Sequence, residues 1–193
     1  MKHYTRTLSL FLFISFAFTQ TQLGSDIDGE AAGDWSGNSV SMNSAGDRVA
    51  IGAPYNDGTD SNAGHVRVYE YGNSSWSQLG SDIDGEAAGD GSGNSVSMNS
   101  AGDRVAIGAP YNDGTDSNAG HVRVYEYGNS SWSQLGSDID GEAAGDGSGI
   151  SVSINSAGDR VAIGGPYNDG TDTNAGHVRV YEYSNNSWSQ LGS

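Results

Sequence analysis

Apolar residues recur at every second position in short runs, the runs are separated by turn residues, and the whole pattern returns every 56 residues. In Ser36–Asn43 the side chains of Val40 and Met42 share one face, and in Arg48–Pro54 Val49 and Ile51 do the same. Between these runs Ser44-Ala45-Gly46-Asp47 reads as a turn, with Gly46 suited to a positive φ. Alternation on both sides of a short glycine-containing turn predicts a β-hairpin. Pro54 has no N–H to give to a ladder and ends the second strand. Tyr55–Gly64 is crowded with Asn, Asp, Gly, Ser and Thr and has no period, so it reads as a loop. His65–Gly72, rich in β-branched and aromatic residues, predicts the strongest strand. Asn73-Ser74-Ser75 then turns the chain into a fourth, short strand over Trp76–Gly80. No window has the 3.6-residue period of a helix, and the frequent Gly and Ser oppose one.

In the third strand the valines and tyrosines fall on opposite faces, so the sheet must be covered on both sides. A single four-stranded unit cannot do this alone; stacked copies can. The expected fold is all-β: a propeller-like array of three four-stranded antiparallel blades, either open or part of a larger propeller, since closed rings use about 4 to 8 blades. The repeats run 22–77, 78–133 and 134–189 within a single repeat domain, 20–193. Repeats one and two differ only at Trp35 against Gly91, so agreement between copies does not reveal which residues matter.

Charge changes the picture at the level of partners. The chain has 8 Lys and Arg against 24 Asp and Glu, and after Lys2 and Arg6 its only cations are six arginines. Such a surface excludes nucleic acid and anionic lipid, which need basic patches. The absence of cysteine excludes disulfides, thiolate metal sites and a Cys nucleophile. The first residues read differently from the rest. Lys2 and Arg6 precede the apolar stretch Leu8–Phe18, and Ala17-Phe18-Thr19 offers a small-residue cleavage site before Gln20. This is the pattern of a secretory signal peptide over 1–19. The apolar run is too short to span a bilayer, so no transmembrane segment is expected after cleavage. The expected location is secreted, extracellular or at the cell surface.

Gly37-Asn38-Ser39-Val40, then Gly52-Ala53-Pro54, then Gly64-His65-Val66-Arg67-Val68-Tyr69 resembles the FG-GAP repeat of integrin-α-type β-propellers and their bacterial relatives. The resemblance covers all three repeats. Ser36, Ser92 and Ser148 stand where the family has Phe, and the third repeat has Gly164-Gly165-Pro166. The family's calcium loop is replaced by Asn43-Ser44-Ala45-Gly46-Asp47, which is too short and too poor in carboxylates. The resemblance implies a secreted or surface propeller used for adhesion, recognition or scaffolding.

The strongest candidate for chemistry precedes the FG position. Asp26, Asp28, Glu30 and Asp34 are spaced 1, 3, 5 and 9, and they recur as Asp82, Asp84, Glu86, Asp90 and as Asp138, Asp140, Glu142, Asp146. Calcium takes 6 to 8 oxygen ligands from loops of this kind, so each quartet is a candidate Ca2+ site. Against that, Gly29 falls at the fourth position, and carboxylates also cap ordinary turns. Asn56, Asp57, Asp60 and Asn62 form a second cluster that Asx-turn chemistry explains without a metal. His65, His121 and His177 each stand alone in their repeat, which argues against tetrahedral zinc within one blade. Trp76, Trp132 and Trp188, with the nearby tyrosines, are expected to pack between blades in preference to forming a sugar-stacking ladder. Trp35 is expected to be exposed.

These readings predict a non-enzymatic recognition or adhesion module with an extracellular protein or glycan ligand, because enzymes usually have one asymmetric constellation in one cleft. The alternatives are a structural spacer without a specific ligand and a secreted propeller hydrolase or lyase. Three blades leave two end faces uncovered, so either self-association or further repeats are expected to cover them. Gln20–Gly24 repeats the pattern of a fourth strand without a blade of its own, which favours further repeats beyond Ser193.

Overall fold

The computed structural model describes residues 20–192; the predicted signal peptide, 1–19, lies outside the described residues. The described residues hold fourteen strands and no helix. The first blade is β1 (Ser39–Met42), β2 (Arg48–Ala53), β3 (His65–Gly72) and β4 (Ser75–Gln78), paired antiparallel in that order. After β5 (Ile83–Asp84) the second blade follows with β6 (Ser95–Met98), β7 (Arg104–Ala109), β8 (His121–Gly128) and β9 (Ser131–Gln134). After β10 (Ile139–Asp140) the third blade has β11 (Ser151–Ile154), β12 (Arg160–Gly165), β13 (His177–Ser184) and β14 (Ser187–Gln190).

Local chemistry sets the turns. Gly46 takes φ 74°, as a tight β1–β2 turn requires. The Oδ1 of Asn43 accepts from the N–H groups of Asp47 and Arg48 and holds that turn shut. The β3–β4 turn places two residues at positive φ, Asn73 at 51° and Ser74 at 66°, the geometry that matches the twist of a two-residue hairpin.

β5 and β10 are an addition to the expected fold. Within Ile83–Asp84 the chain pairs with the first half of β3, His65 with Asp84 and Val66 with Ile83. β10 pairs with β8 in the same way. Each of the first two sheets therefore gains a fifth short strand from the following repeat. In the third sheet the matching edge of β13 carries no such strand among the described residues.

Register sorts each blade into two faces. Val40 and Met42 lie beside Ile51 and Val49, and Val49 lies beside Tyr69; these form a tyrosine face. Ala50 lies beside Val68 and Gly52 beside Val66, forming a valine face of small residues. The valine face of each blade packs on the tyrosine face of the next. Ala50, Val66, Val68 and Ile83 meet Met98, Val105 and Ile107; one repeat later Ala106, Val122, Val124 and Ile139 meet Ile154, Val161, Ile163 and Tyr181. Each fully buried valine or isoleucine contributes roughly 1.5–3 kcal/mol. Glycine allows the close approach: a Cβ on Gly52 would collide with the Gly93 carbonyl, and one on Gly108 with that of Gly149.

Candidate functional site

In the acidic segments the four carboxylates of each quartet separate. The first acid of each quartet is held by a glutamine: Gln22 Nε2 donates to Asp26 at 2.7 Å, and Gln78 and Gln134 donate to Asp82 and Asp138 at 2.6 Å. In the second and third quartets the second acid is a strand residue. Asp84 and Asp140 lie in β5 and β10, and the backbone carbonyls of Asp28, Asp84 and Asp140 accept from Arg67, Arg123 and Arg179 at 2.9, 2.8 and 2.7 Å. Burial, and then the neighbouring Asp82 or Asp138, pushes the Asp84 and Asp140 carboxyls above their usual range.

The third acid pairs with arginine: Glu30, Glu86 and Glu142 lie 3.4, 3.2 and 3.3 Å from Arg67, Arg123 and Arg179. The fourth is buried. Asp34, Asp90 and Asp146 accept from Asn56, Asn112 and Asn168 at 2.8, 3.0 and 2.9 Å, and from the backbone N–H of Ala31, Ala87 and Ala143. Among the described residues, no three carboxylates of one loop come within common ligand distance. The acids of each quartet are thus separated, and the donors that do converge form a different arrangement.

In the first two blades that arrangement joins two consecutive loops around a histidine, and in the third one loop supplies both acids. His65 Nδ1 lies 3.9 Å from Glu30 Oε2 and 3.7 Å from Asp82 Oδ2. His121 Nδ1 lies 3.9 Å from Glu86 and 3.8 Å from Asp138. His177 Nδ1 lies 3.6 Å from Glu142, and Asp146 completes the third group. One imidazole nitrogen and two carboxylates are a donor set that a divalent cation such as zinc accepts. The adjacent arginine pairs with the same glutamate, and this ion pair ties loop to strand. His121 is almost fully buried. Burial, reinforced by Arg123 and opposed by Asp138 and Asp90, lowers its pKa to about 4, so the ring is neutral near pH 7. Its Nε2 is buried without a hydrogen-bond partner.

The histidines are alone in sequence and partnered in space, because two strands separate Glu30 from β3 and one strand separates β3 from Asp82. The loop after β2 is organised as Asx chemistry predicts. Asn56 accepts from Gly58 N, Asp57 from Asn62 N and Asp60 from Ser61 N. The ring of Trp132 lies tilted against Tyr127 at 5.1 Å, donates to the Leu79 carbonyl and packs against the blade seam, as expected for a packing residue. Trp35 is exposed and stands edge-on to Tyr55 at 4.7 Å.

No family model matches the chain, and no curated protein matches it in sequence. A crystal structure of a putative 6-phosphogluconolactonase from Bacteroides uniformis superposes with a TM-score of 0.54 at 11% identity; the match covers 80% of this chain and 39% of that one. At this identity the likeness is one of fold, and with the three repeated sheets it places the chain among all-β, propeller-like repeat proteins. It also corrects one expectation. A chain with this fold carries the name of an enzyme, so the expectation of a non-enzymatic protein, drawn from the repeats, does not stand. Repetition of a scaffold does not exclude a catalytic site on it.

Proposed function

We propose that the protein is a secreted or surface recognition module of the FG-GAP type that presents three equivalent polar loops to an extracellular glycan or protein. The carrying observation is the loop following the second strand of each blade. Asp57–Asn62, Asp113–Asn118 and Asp169–Asn174 are exposed and near-identical, and each is pinned by the same internal hydrogen bonds. In the first two copies the next repeat's acidic segment laces onto the loop's base, with Gly89 N donating to Ser61 O and Gly145 N to Ser117 O. A rigid loop loses little entropy on binding, and three copies on one scaffold favour a ligand that itself repeats. The FG-GAP resemblance and the signal-peptide pattern support the same reading.

The test is a glycan and matrix-protein array probed with the purified protein. Binding that falls at least tenfold when Asp57, Asp60, Asp113, Asp116, Asp169 and Asp172 are all changed to Asn supports the proposal. Asn keeps the turn acceptor and removes only the charge. No ligand at micromolar protein would favour a spacer. Sugar-lactone hydrolysis by the same preparation would replace this reading with a hydrolytic one.

A further inference from the structure

The two ends of the array are halves of a seam that the molecule already forms twice. At the C-terminal end the valine face of the third blade is open: Val178 is 69% exposed, whereas its counterparts Val66 and Val122 are fully buried. A groove of about 440 Å³ crosses this face, lined by Ser151, Gly164, Gly176, His177 and Val178 among others. At the N-terminal end the tyrosine face of the first blade is open. Val40 and Met42 are 63% and 54% exposed, whereas Met98 is 7% exposed. A second groove of about 450 Å³ lies there, lined by Leu23, Ile27, Met42, Val49, Ile51 and Trp76 among others.

The polar groups of the seam are likewise divided between the two ends. Inside the molecule Ser39 and Ser95 donate through Oγ to the carbonyls of Gly93 and Gly149. Ser41 and Ser97 accept through Oγ from the N–H of Met98 and Ile154. Arg48 and Arg104 donate through Nη1 to the carbonyls of Gly102 and Gly158. Gly64 and Gly120 form parallel bridges with Ser92 and Ser148. The third blade ends in the same groups, Ser151, Ser153, Arg160 and Gly176. The residues 56 positions before those seam acceptors and donors are Gly37, Met42, Gly46 and Ser36, on the first blade. The fifth strand is divided too. Gly24-Ser25-Asp26-Ile27-Asp28-Gly29 has the same sequence as the segment that carries β5, and among the described residues β13 is the strand that lacks such a partner.

We propose that the C-terminal face of one copy of this chain docks on the N-terminal face of a second copy, head to tail, reproducing the internal seam. Ile27–Asp28 of the second copy adds to the His177–Val178 edge of β13, in the register that β5 keeps on β3. Val178 and Val180 cover Met42, Val49 and Ile51 of the second copy. The contact is heterologous, so it ends only when a ring closes.

The test is sedimentation or light scattering of the purified protein, with two single variants on surfaces exposed in one copy, so that the fold survives. The unaltered protein is expected to associate. Val178→Asp spoils only the C-terminal face and Met42→Asp only the N-terminal face, and each alone is expected to be a folded monomer by circular dichroism. Mixed in equal amounts they retain one intact face each, and are expected to form a dimer that grows no further. A monomeric unaltered protein at tens of micromolar would overturn the proposal and leave further repeats or another protein as the cover. Association that persists in either variant alone would overturn it as well, because the contact would then not be head to tail.

Discussion

Single residues show how the repeat tolerates a buried ionisable group. His121 has its pKa lowered from 6.5 to about 4, chiefly by burial. The unfolded chain therefore takes up a proton near pH 6.5 that the folded chain refuses until about pH 4. Above pH 6.5 both states are neutral here and the full stability is present; it is lost as pH falls from 6.5 towards 4, by about 3 kcal/mol in all. Asp84 and Asp140, whose carboxyls are raised, act with the opposite sign over the acid range. The melting temperature is expected to fall across this window, and His121→Gln is expected to flatten the slope. An unchanged slope in that variant would assign the pH dependence to other groups. Glycine gives a second residue-scale outcome. A Cβ on Gly108 meets the Gly149 backbone, while one on Gly164 meets only the Ser151 hydroxyl side chain. Overpacking against backbone costs about 1–3 kcal/mol, so Gly108→Ala is expected to melt well below Gly164→Ala in thermal denaturation of the monomeric Val178→Asp background.

At the scale of elements, legibility tracked locality. The strands from β1 to β4 and their copies were readable because alternation and turn residues lie within a few positions of one another. β5 was not. It is two residues long, sits among Asp and Gly, and owes its conformation to β3, which precedes it by some twenty positions. The histidine cluster was hidden for the same reason, since Glu30 and Asp82 come from different repeats and neither is near His65 in sequence. Positions 1, 3 and 5 share a side even in a strand, and what separates these acids is their partners: Asp82 is held by Gln78, Glu86 by Arg123 and Asp90 by Asn112. Millimolar calcium is therefore expected to leave the melting temperature unchanged, as read by scanning fluorimetry. A calcium-dependent rise that Asp82→Ala with Asp84→Ala abolishes would restore the acidic segment as a calcium loop.

For the whole molecule, the three blades are close to identical in sequence and unequal in environment. The second blade is covered on both faces, with Val105, Val122 and Val124 fully buried. The first blade lacks a cover over Val40 and Met42, and the third lacks one over Val178. Because stacked repeats draw stability from nearest neighbours, intrinsic propensity is nearly constant along the chain and the seams decide the differences. Local opening should follow those seams. In the Val178→Asp variant, held monomeric, amide hydrogen exchange is expected to be slowest in β7 and β8 and faster in β1, β12 and β13. In the unaltered protein at high concentration the end blades are expected to slow towards the middle one, with β1 and the His177–Val178 edge changing most. Equal exchange in all three blades of the monomeric variant would show that each blade is stable by itself and that the seams contribute little.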